Sequence, residues 1–203
     1  GSTDVSGVSE SSLRIGAIAL TYLFASVPYG VLVARARGVD IQGEGSGNTG
    51  ATNVSRRLGK SLGALVLLLD ALKGALPLLL VQWRFRGEQP VLVAAGFAAV
   101  IAHCHSPWLK FKGGKGVATT LGVYVVLDPE FALLGVVCFA ITYGRWGLVS
   151  LGSLVSAWVL AITATFSDAV VVSLSLVWLL TVLVSLEHHA NVRRLLRGTE
   201  KRT

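Results

Sequence analysis

The sequence predicts an all-α integral membrane protein, built as a compact bundle of seven transmembrane helices, some of them short. Hydrophobic residues make up 53% of the 203-residue chain and charged residues only 14%, whereas an average soluble domain is about 25% charged. Long apolar runs recur along the chain. Basic residues also collect in the loops on one side of the predicted bundle, as expected for a protein whose main solvent is lipid.

Seven apolar segments can be read in order along the chain. A full span of the hydrocarbon core needs about 20 residues, which the first, second, third, sixth and seventh segments approach. The fourth and fifth are near 14 residues each and are predicted as two short helices or as a re-entrant hairpin shielded from lipid. Asp128-Pro129-Glu130 breaks the helix between them. The segments cover about 13–34, 61–82, 90–107, 115–127, 130–143, 148–166 and 169–187.

The first segment is predicted to be a retained helix. It follows the acidic residues Asp4 and Glu10 instead of a basic region, and it has no clear small-residue cleavage site, so a signal peptide is disfavoured. Residues 1–12 are interpreted as an N-terminal extension, whose opening Gly-Ser is typical of a cleaved expression tag. Residues 13–203 are predicted to form a single seven-helix domain.

The distribution of basic residues predicts the orientation of the bundle. If the seven segments alternate across the membrane, fourteen of the eighteen Lys and Arg residues fall on one side and three on the other. The positive-inside rule then places the first side in the cytoplasm, with the N-terminus outside and the C-terminus inside. A basic chain can also bind nucleic acid, but the apolar runs argue against that partner.

The first long cytoplasmic loop contains Gly45-Ser46-Gly47-Asn48-Thr49-Gly50, which matches the G-x-G-x-x-G fingerprint of dinucleotide-binding turns. That fingerprint requires a preceding strand, and here a membrane span precedes it, so a Rossmann turn is excluded. Backbone N–H groups in such a loop can bind an anion. A helix starting near Thr52 would add its N-terminal dipole. A flexible linker is the alternative.

A second glycine-rich stretch, "FKGGKGVATT" (111–120), lies on the same predicted side and also leads into a helix. Its two adjacent glycines allow close backbone approach, and Lys112 and Lys115 supply positive charge. It is not a Walker A loop, because the required spacing of glycine before Gly-Lys-Ser/Thr is missing. We predict anion binding here; a basic segment that only sets topology is the alternative.

Two charged residues, Asp70 and Lys73, lie near the middle of the second span. Their i, i+3 spacing puts them on one helix face, so they can form an ion pair. Intramembrane charges are candidates for a functional site. A structural pair that locks helices together is an equally good interpretation.

The segment after the last span, "SLEHHANVRRLLRG" (185–198), places His188, His189 and Asn191 at the cytoplasmic boundary, with arginines just beyond. A basic cap at the membrane surface would account for the arginines alone. Paired histidines occur here and at His103 and His105, but neither pair has the supporting carboxylates or thiolates that a site would need, so no metal site is predicted.

Three segments on the predicted cytoplasmic side together resemble one known family. "GSGNTGATNVSRRLG", "FKGGKGVAT" and "HHANVRRLLRGTE" are similar in order, spacing and topology to the three signature regions of the PlsY-type bacterial glycerol-3-phosphate acyltransferases. The resemblance extends to "SVPYGVLVARARGVDI" before the first motif and to "LDALKG" in the second span. It covers nearly the whole chain.

The resemblance implies a seven-helix enzyme of the bacterial cytoplasmic membrane with its active site facing the cytoplasm. Such enzymes transfer a fatty acyl group from acyl phosphate to the 1-hydroxyl of sn-glycerol 3-phosphate, giving lysophosphatidic acid and phosphate. Neither a cofactor nor a metal is expected. The expected partners are these two small-molecule substrates and membrane lipids, and a monomer is the expected functional unit.

Residues are assigned by their positions in the matching motifs. The resemblance implies catalytic roles for Ser46, Arg56, Lys115 and His188. Substrate-binding roles are implied for Gly45, Gly47, Asn48, Gly50, Thr52, Asn53, Gly113, Gly114, Ser153 and Asn191. The glycerol-3-phosphate headgroup is expected to be clamped by four side chains: Arg56, Lys115, His188 and Asn191. Ser46, Thr52 and the glycine N–H groups are expected to hold the acyl-phosphate end.

Two questions stay open at this point. The base that accepts the proton of the 1-hydroxyl is either His188 or a phosphate oxygen of the substrate, whose second pKa lies near 6. The main alternative function is a membrane transporter of a phosphorylated solute, which basic loops and intramembrane charges would also suit. Transporters commonly carry internal repeats, and no repeat is seen between the two halves of the chain.

Overall fold

The computed structural model describes residues 9–167 and 173–202, and this part of the chain contains helices and no strand. A 3-10 turn, Pro107–Leu109, lies between the fifth and sixth α-helices. The α-helices are α1 (Glu10–Ala25), α2 (Tyr29–Arg35), α3 (Ala51–Leu58), α4 (Lys60–Arg84), α5 (Gln89–Cys104), α6 (Val117–Leu127), α7 (Pro129–Trp146), α8 (Val149–Phe166), α9 (Leu174–Glu187) and α10 (His189–Leu196).

Several described segments are suited to a membrane by length and composition. Four are long and apolar enough to cross it: Glu10–Arg35, Lys60–Arg84, Gln89–Leu109 and Val149–Phe166. The apolar helices α6 and α9 are shorter. The predicted all-helical membrane class is therefore confirmed, and the predicted bounds of the second, third and sixth segments agree closely with α4, α5 and α8.

The predicted first segment is not a single helix. It divides into α1 and α2 at Ser26-Val27-Pro28, because proline lacks the N–H that a continuing helix needs. Side chains from α4 and from the turn after α5 satisfy the freed backbone carbonyls: Ser106 Oγ donates to Ser26 O at 2.7 Å, and Lys73 Nζ donates to Val27 O at 2.8 Å. The break is thus built into the packing of the bundle.

The hydrogen bond from Lys73 to Val27 O gives the intramembrane ion pair of Asp70 and Lys73 a structural role. Lys73 Nζ lies 3.0 Å from Asp70 Oδ1, and both side chains are at most 3% exposed. His103 Nδ1 lies 3.6 Å from the same carboxylate oxygen. Lys73 therefore joins the broken first segment to α4, and Asp70 balances its charge at a depth where an isolated ion would be costly.

Two further segments differ from their predicted lengths. The fifth is α7, which has 18 residues, so the prediction that it is short was wrong. The residues Tyr143-Gly144-Arg145 resemble the polar end of a helix in the sequence, yet α7 continues to Trp146. It stops at Gly147, whose φ of 69° is typical of a glycine that caps a helix. The seventh begins at Leu174 in the described part and has 14 residues; positions 169–172 lie outside the described residues.

The fourth segment is short as predicted, with 11 residues in α6. Small residues allow its close packing on α4. A Cβ at Gly122 would lie 1.9 Å from Ala71 O, and one at Gly74 would lie 2.4 Å from Thr119 O. Such backbone contact is the usual way for helices to associate in lipid.

A small second core lies beneath the first glycine-rich loop. It consists of Val31, Ala34, Ile41, Val54, Val66 and Leu109. These residues come from α2, the loop, α3, α4 and the 3-10 turn, so they fix the loop against the end of the bundle where the three signature segments meet.

Candidate functional site

Asn53 organises the first glycine-rich loop from its centre. Its side chain is buried, and Nδ2 donates to Ile41 O, Glu44 O and Asn48 O at 3.2, 3.0 and 2.9 Å. Its Oδ1 accepts from the backbone N–H of Ser46 at 3.2 Å. Substrate contact by Asn53 was expected from the sequence. In this structure both ends of its side-chain amide form hydrogen bonds with the backbone of the loop, which fixes the loop conformation.

The glycines of this loop have distinct conformational roles. Gly45 and Gly47 adopt φ values of 61° and 69°, which disfavour residues with a Cβ. A Cβ at Gly45 would also lie 2.4 Å from Asn53 Oδ1. Gly50 is the N-cap of α3, and its N–H donates to Asn48 Oδ1 at 2.9 Å. Asn48 is therefore a turn-forming residue within the loop.

Ser46 and Thr52 are the more accessible members of the predicted acyl-phosphate end. Ser46 is exposed and Thr52 is half-buried in the first turn of α3. Gly50 has no side chain with which to cap that helix, and an uncapped helix N-terminus attracts an anion. The predicted start of this helix near Thr52 is confirmed, since α3 begins at Ala51.

In the second motif, the backbone N–H groups of the two adjacent glycines donate hydrogen bonds within the protein. Gly113 N–H donates to Cys104 O at 2.8 Å, and Gly114 N–H donates to His103 O at 3.1 Å. A Cβ at Gly114 would lie 2.1 Å from His103 Nε2. These N–H groups are thus engaged by backbone carbonyls, and the glycines hold the loop against the end of α5, directly before Lys115. Contact of either glycine with substrate stays a prediction.

Lys115 lies in a polar chain that links the second and third motifs. Its Nζ donates to Asn191 Oδ1 at 2.5 Å. Asn191 Nδ2 in turn donates to Glu200 Oε1 at 2.6 Å. Burial lowers the pKa of Lys115 to about 8, against the opposing effect of the Glu200 carboxylate.

Glu200 is the centre of this cluster. Its carboxylate accepts from Ser150 Oγ at 2.8 Å and from Arg194 Nε at 2.6 Å, and its side chain is 8% exposed. Although burial opposes ionisation, hydrogen bonds from Arg194, Asn191 and Ser150 lower the pKa of Glu200, so it is an anion at neutral pH.

Arg56 reaches the same region from the first motif. Its Nη2 donates to the backbone O of Lys201, the residue after Glu200, at 3.1 Å. The positive charge of Arg56 also contributes to lowering the pKa of Lys115. Arg57, its neighbour in α3, instead pairs with Glu44 across the loop, so only one of the two arginines faces the cluster.

His188 is buried where α9 ends and α10 begins. Its Nδ1 lies 2.7 Å from Val184 O. A carbonyl oxygen only accepts, so Nδ1 carries the proton and Nε2 has the free lone pair of a neutral ring. Burial, together with the nearby positive charge of Lys115, lowers the pKa of His188 to about 4. The imidazole is therefore neutral at physiological pH.

The two serines of α8 have different partners. Ser153 Oγ donates to Val149 O of its own helix at 2.9 Å. Ser150, one turn earlier, donates to Glu200. Both are buried, and the sequence analysis assigned a role only to Ser153.

The structure therefore brings Arg56, Lys115, His188 and Asn191 together from three separate motifs, as the resemblance implied. Three of their neighbours were not predicted: Glu200, Ser150 and Arg194. The available signal was the single acidic residue within "VRRLLRGTEKR", since a lone carboxylate among cations usually has a partner. Within the part of the chain that the structure describes, no group of three His, Cys, Asp or Glu side chains could hold a metal ion.

Comparisons with known proteins agree on one family. The family model described as "Glycerol-3-phosphate acyltransferase" matches residues 15–198. A glycerol-3-phosphate acyltransferase of Myxococcus xanthus is 46% identical over 186 residues, covering 91% of this chain and 97% of that protein. One from an Anaeromyxobacter species is 41% identical and covers 96% and 98%.

Two solved structures share the fold. The crystal structure of PlsY (YgiH), an integral membrane glycerol 3-phosphate acyltransferase, in its glycerol 3-phosphate form, superposes with a TM-score of 0.89 at 36% identity, covering 94% of this chain and 96% of that one. The lysophosphatidic acid form gives 0.87 at 36% identity, covering 94% and 95%. The chain described here therefore belongs to the PlsY-type family of glycerol-3-phosphate acyltransferases and is a membrane acyltransferase.

Proposed function

We propose that this enzyme transfers a fatty acyl group from acyl phosphate to the 1-hydroxyl of sn-glycerol 3-phosphate, releasing lysophosphatidic acid and inorganic phosphate. The observation that carries this proposal is the convergence of Arg56, Lys115, His188 and Asn191, which come from three separate motifs, at one end of an apolar bundle. Such a site suits phosphate groups at the surface of a membrane.

The reaction needs no protein nucleophile. Acyl phosphate is a mixed anhydride, so its acyl carbon is already activated. The 1-hydroxyl oxygen forms the new ester bond to that carbon, the bond between the acyl carbon and the phosphate oxygen breaks, and phosphate leaves with the electron pair. The hydroxyl proton passes to a base. The protein's main task is to hold two anions together, which positive charges and N–H groups achieve by positioning and electrostatics.

We assign the headgroup of glycerol 3-phosphate to the clamp formed by Arg56, Lys115, Asn191 and His188. Lys115 and Arg56 supply positive charge. Lys115 and Asn191 are in direct contact through a hydrogen bond of 2.5 Å, so both can face the same phosphate group. Ser46, Thr52 and the N-terminus of α3 are proposed to hold the acyl-phosphate end, since α3 begins without a side-chain cap.

The chemistry of His188 favours a substrate phosphate as the base. A pKa of about 4 makes the imidazole a weak base at neutral pH, whereas the second pKa of a phosphate monoester lies near 6. We therefore propose that a phosphate oxygen accepts the proton, and that His188 Nε2 orients a hydroxyl by accepting a hydrogen bond.

We further propose seven spans in the bacterial cytoplasmic membrane, with the N-terminus outside and the three motifs facing the cytoplasm, and a functional monomer. The support is the positive-inside rule: fourteen of eighteen basic residues fall on the side of the motifs when seven segments alternate.

The deciding experiment measures phosphate release from palmitoyl phosphate by the purified protein in lipid. Release that requires glycerol 3-phosphate, together with formation of lysophosphatidic acid, is expected. Release without the acceptor, or no release, would count against this function. The alternative of a transporter predicts uptake of labelled glycerol 3-phosphate into proteoliposomes without any acylated product.

A further inference from the structure

The two hydrogen bonds that link Lys115, Asn191 and Glu200 run in one direction, from the lysine donor to the carboxylate acceptor. Lysine only donates hydrogen bonds and an ionised carboxylate only accepts them. Asn191 lies between them, with Oδ1 toward Lys115 Nζ and Nδ2 toward Glu200 Oε1. Its amide therefore has one satisfactory orientation, which the two flanking charges set together.

Glu200 is itself held firmly. Its Oε1 accepts from Ser150 Oγ of α8 at 2.8 Å as well as from Asn191, and its Oε2 accepts from Arg194 Nε of α10 at 2.6 Å. Arg56 of α3 donates to the backbone O of the next residue. The tail is thus fixed by three helices, and the carboxylate lies at a depth where its side chain is 8% exposed.

From this geometry we infer that Glu200 is a positioning residue of the acyltransferase: its carboxylate orients the Asn191 amide toward Lys115 and supplies the negative charge that accompanies this half-buried lysine. The inference rests on the proposed role of Lys115 in holding a substrate phosphate. Glu200 itself need not contact the substrate, because it acts through Asn191.

The electrostatic surroundings of Lys115 explain why such a charge is needed. Arg56 of α3 and Arg194 of α10 are cations that face it, His188 is neutral, and the anions are Glu187 at the end of α9 and Glu200 in the tail. Burial and the two arginines favour the neutral amine, while Glu200 is the largest of the opposing influences. A neutral Lys115 would lose the charge that attracts phosphate.

The test is the titration of Lys115 in Glu200→Gln, a change that removes the charge and keeps the shape. Competitive labelling with acetic anhydride across pH, read by mass spectrometry of the Lys115 peptide, reports the pKa directly and does not depend on activity. We expect the Lys115 pKa to fall by about one unit, with the alkaline limb of kcat/KM shifting equally. Glu200→Asp should keep the wild-type titration.

Glu130→Gln is the matched control, because Glu130 is an exposed carboxylate in the first turn of α7; its Lys115 titration should equal that of the wild type. An unshifted Lys115 pKa in folded Glu200→Gln protein would overturn the inference.

If Glu200→Gln fails to fold, Ser150→Ala provides a second test, because it removes one donor to the carboxylate. This variant should raise the KM for glycerol 3-phosphate several-fold, and a wild-type KM would contradict the positioning role. Absence of acyl transfer by the wild type would instead refute the proposed function, and the labelling curves would still test Glu200.

Discussion

At the scale of single residues, the enzyme combines a lysine that titrates near physiological pH with a histidine that does not. Burial lowers the pKa of Lys115 to about 8 and that of His188 to about 4. The two groups lie close enough for the lysine to influence the histidine. Their charges therefore respond to different pH ranges, so the pH dependence of the reaction can separate their roles.

Lys115 should set the alkaline limit of activity. The lysine binds phosphate only when protonated, so kcat/KM should decline as pH rises through about 8, the folded-state pKa.

Lys115→Ala and Arg56→Ala should each reduce turnover at least about a hundredfold, as loss of a charged contact to the reacting groups commonly does. Steady-state kinetics in lipid measure both effects. Lys112→Ala and Arg57→Ala, exposed neighbours of the same motifs, should remain near wild type.

The acidic limit should identify the base. If a phosphate oxygen of the substrate accepts the proton, kcat/KM should fall as pH drops through about 6. If His188 is the base, the fall should instead occur near its pKa of about 4. We expect the limb near pH 6 in the wild type and also in His188→Asn, whose maximal rate should be lower because an orienting acceptor is lost. A wild-type limb near pH 4 that disappears in His188→Asn would instead identify the histidine as the base.

At the scale of elements, glycine and a buried ion pair hold the catalytic loops on the bundle. Gly114 lets the loop before Lys115 lie on the ring of His103. Lys73 ties the break between α1 and α2 to α4. Both contacts determine where the polar loops begin.

Gly114→Ala should disturb substrate binding through displacement of Lys115. The added Cβ would lie 2.1 Å from His103 Nε2, which is far inside contact distance. We expect a raised KM for glycerol 3-phosphate and a smaller change in KM for the acyl donor. Gly144→Ala in α7 is the matched control, since nothing lies within 4 Å of its added Cβ. Equal effects of the two substitutions would show that the close contact is unimportant.

Lys73→Met should destabilise the bundle, because it leaves the Asp70 charge buried without its partner and Val27 O without its donor. Removing one member of a buried pair costs about 3–5 kcal/mol. Thermal unfolding in detergent should therefore show a clear loss for Lys73→Met and a smaller one for the double variant Asp70→Asn/Lys73→Met. A double variant less stable than the single one would contradict a charge-balancing role for Asp70.

At the scale of the whole molecule, patterns that recur in sequence were predictable and contacts between distant segments were not. The apolar runs predicted α4, α5 and α8, and the Asp128-Pro129 break predicted the start of α7. The end of α7 was misplaced because Gly144 and Arg145 resemble a loop, whereas the cap at Gly147 depends on local backbone geometry. Glu200 was missed for a similar reason: its partners in α8 and α10 meet it only after folding.

The orientation of the entire bundle is the last prediction. An alternating seven-span arrangement puts Gln42, Lys112 and Thr199, one exposed residue in or beside each motif, on the cytoplasmic side, and it puts Gln89 on the outside. Single-cysteine variants (Gln42→Cys, Lys112→Cys, Thr199→Cys and Gln89→Cys) in a background with Cys104 and Cys138 replaced by alanine test this with a membrane-impermeant maleimide.

In intact cells only Gln89→Cys should react, and the other three should react after permeabilisation. The physical reason is that Arg56, Lys115 and Asn191 belong to one cluster, so their three motifs cannot lie on opposite faces of the bilayer. Labelling of any one motif in intact cells, with the others protected, would contradict both the topology and the shared phosphate site. Labelling of all three from outside would leave the site intact and reverse the orientation.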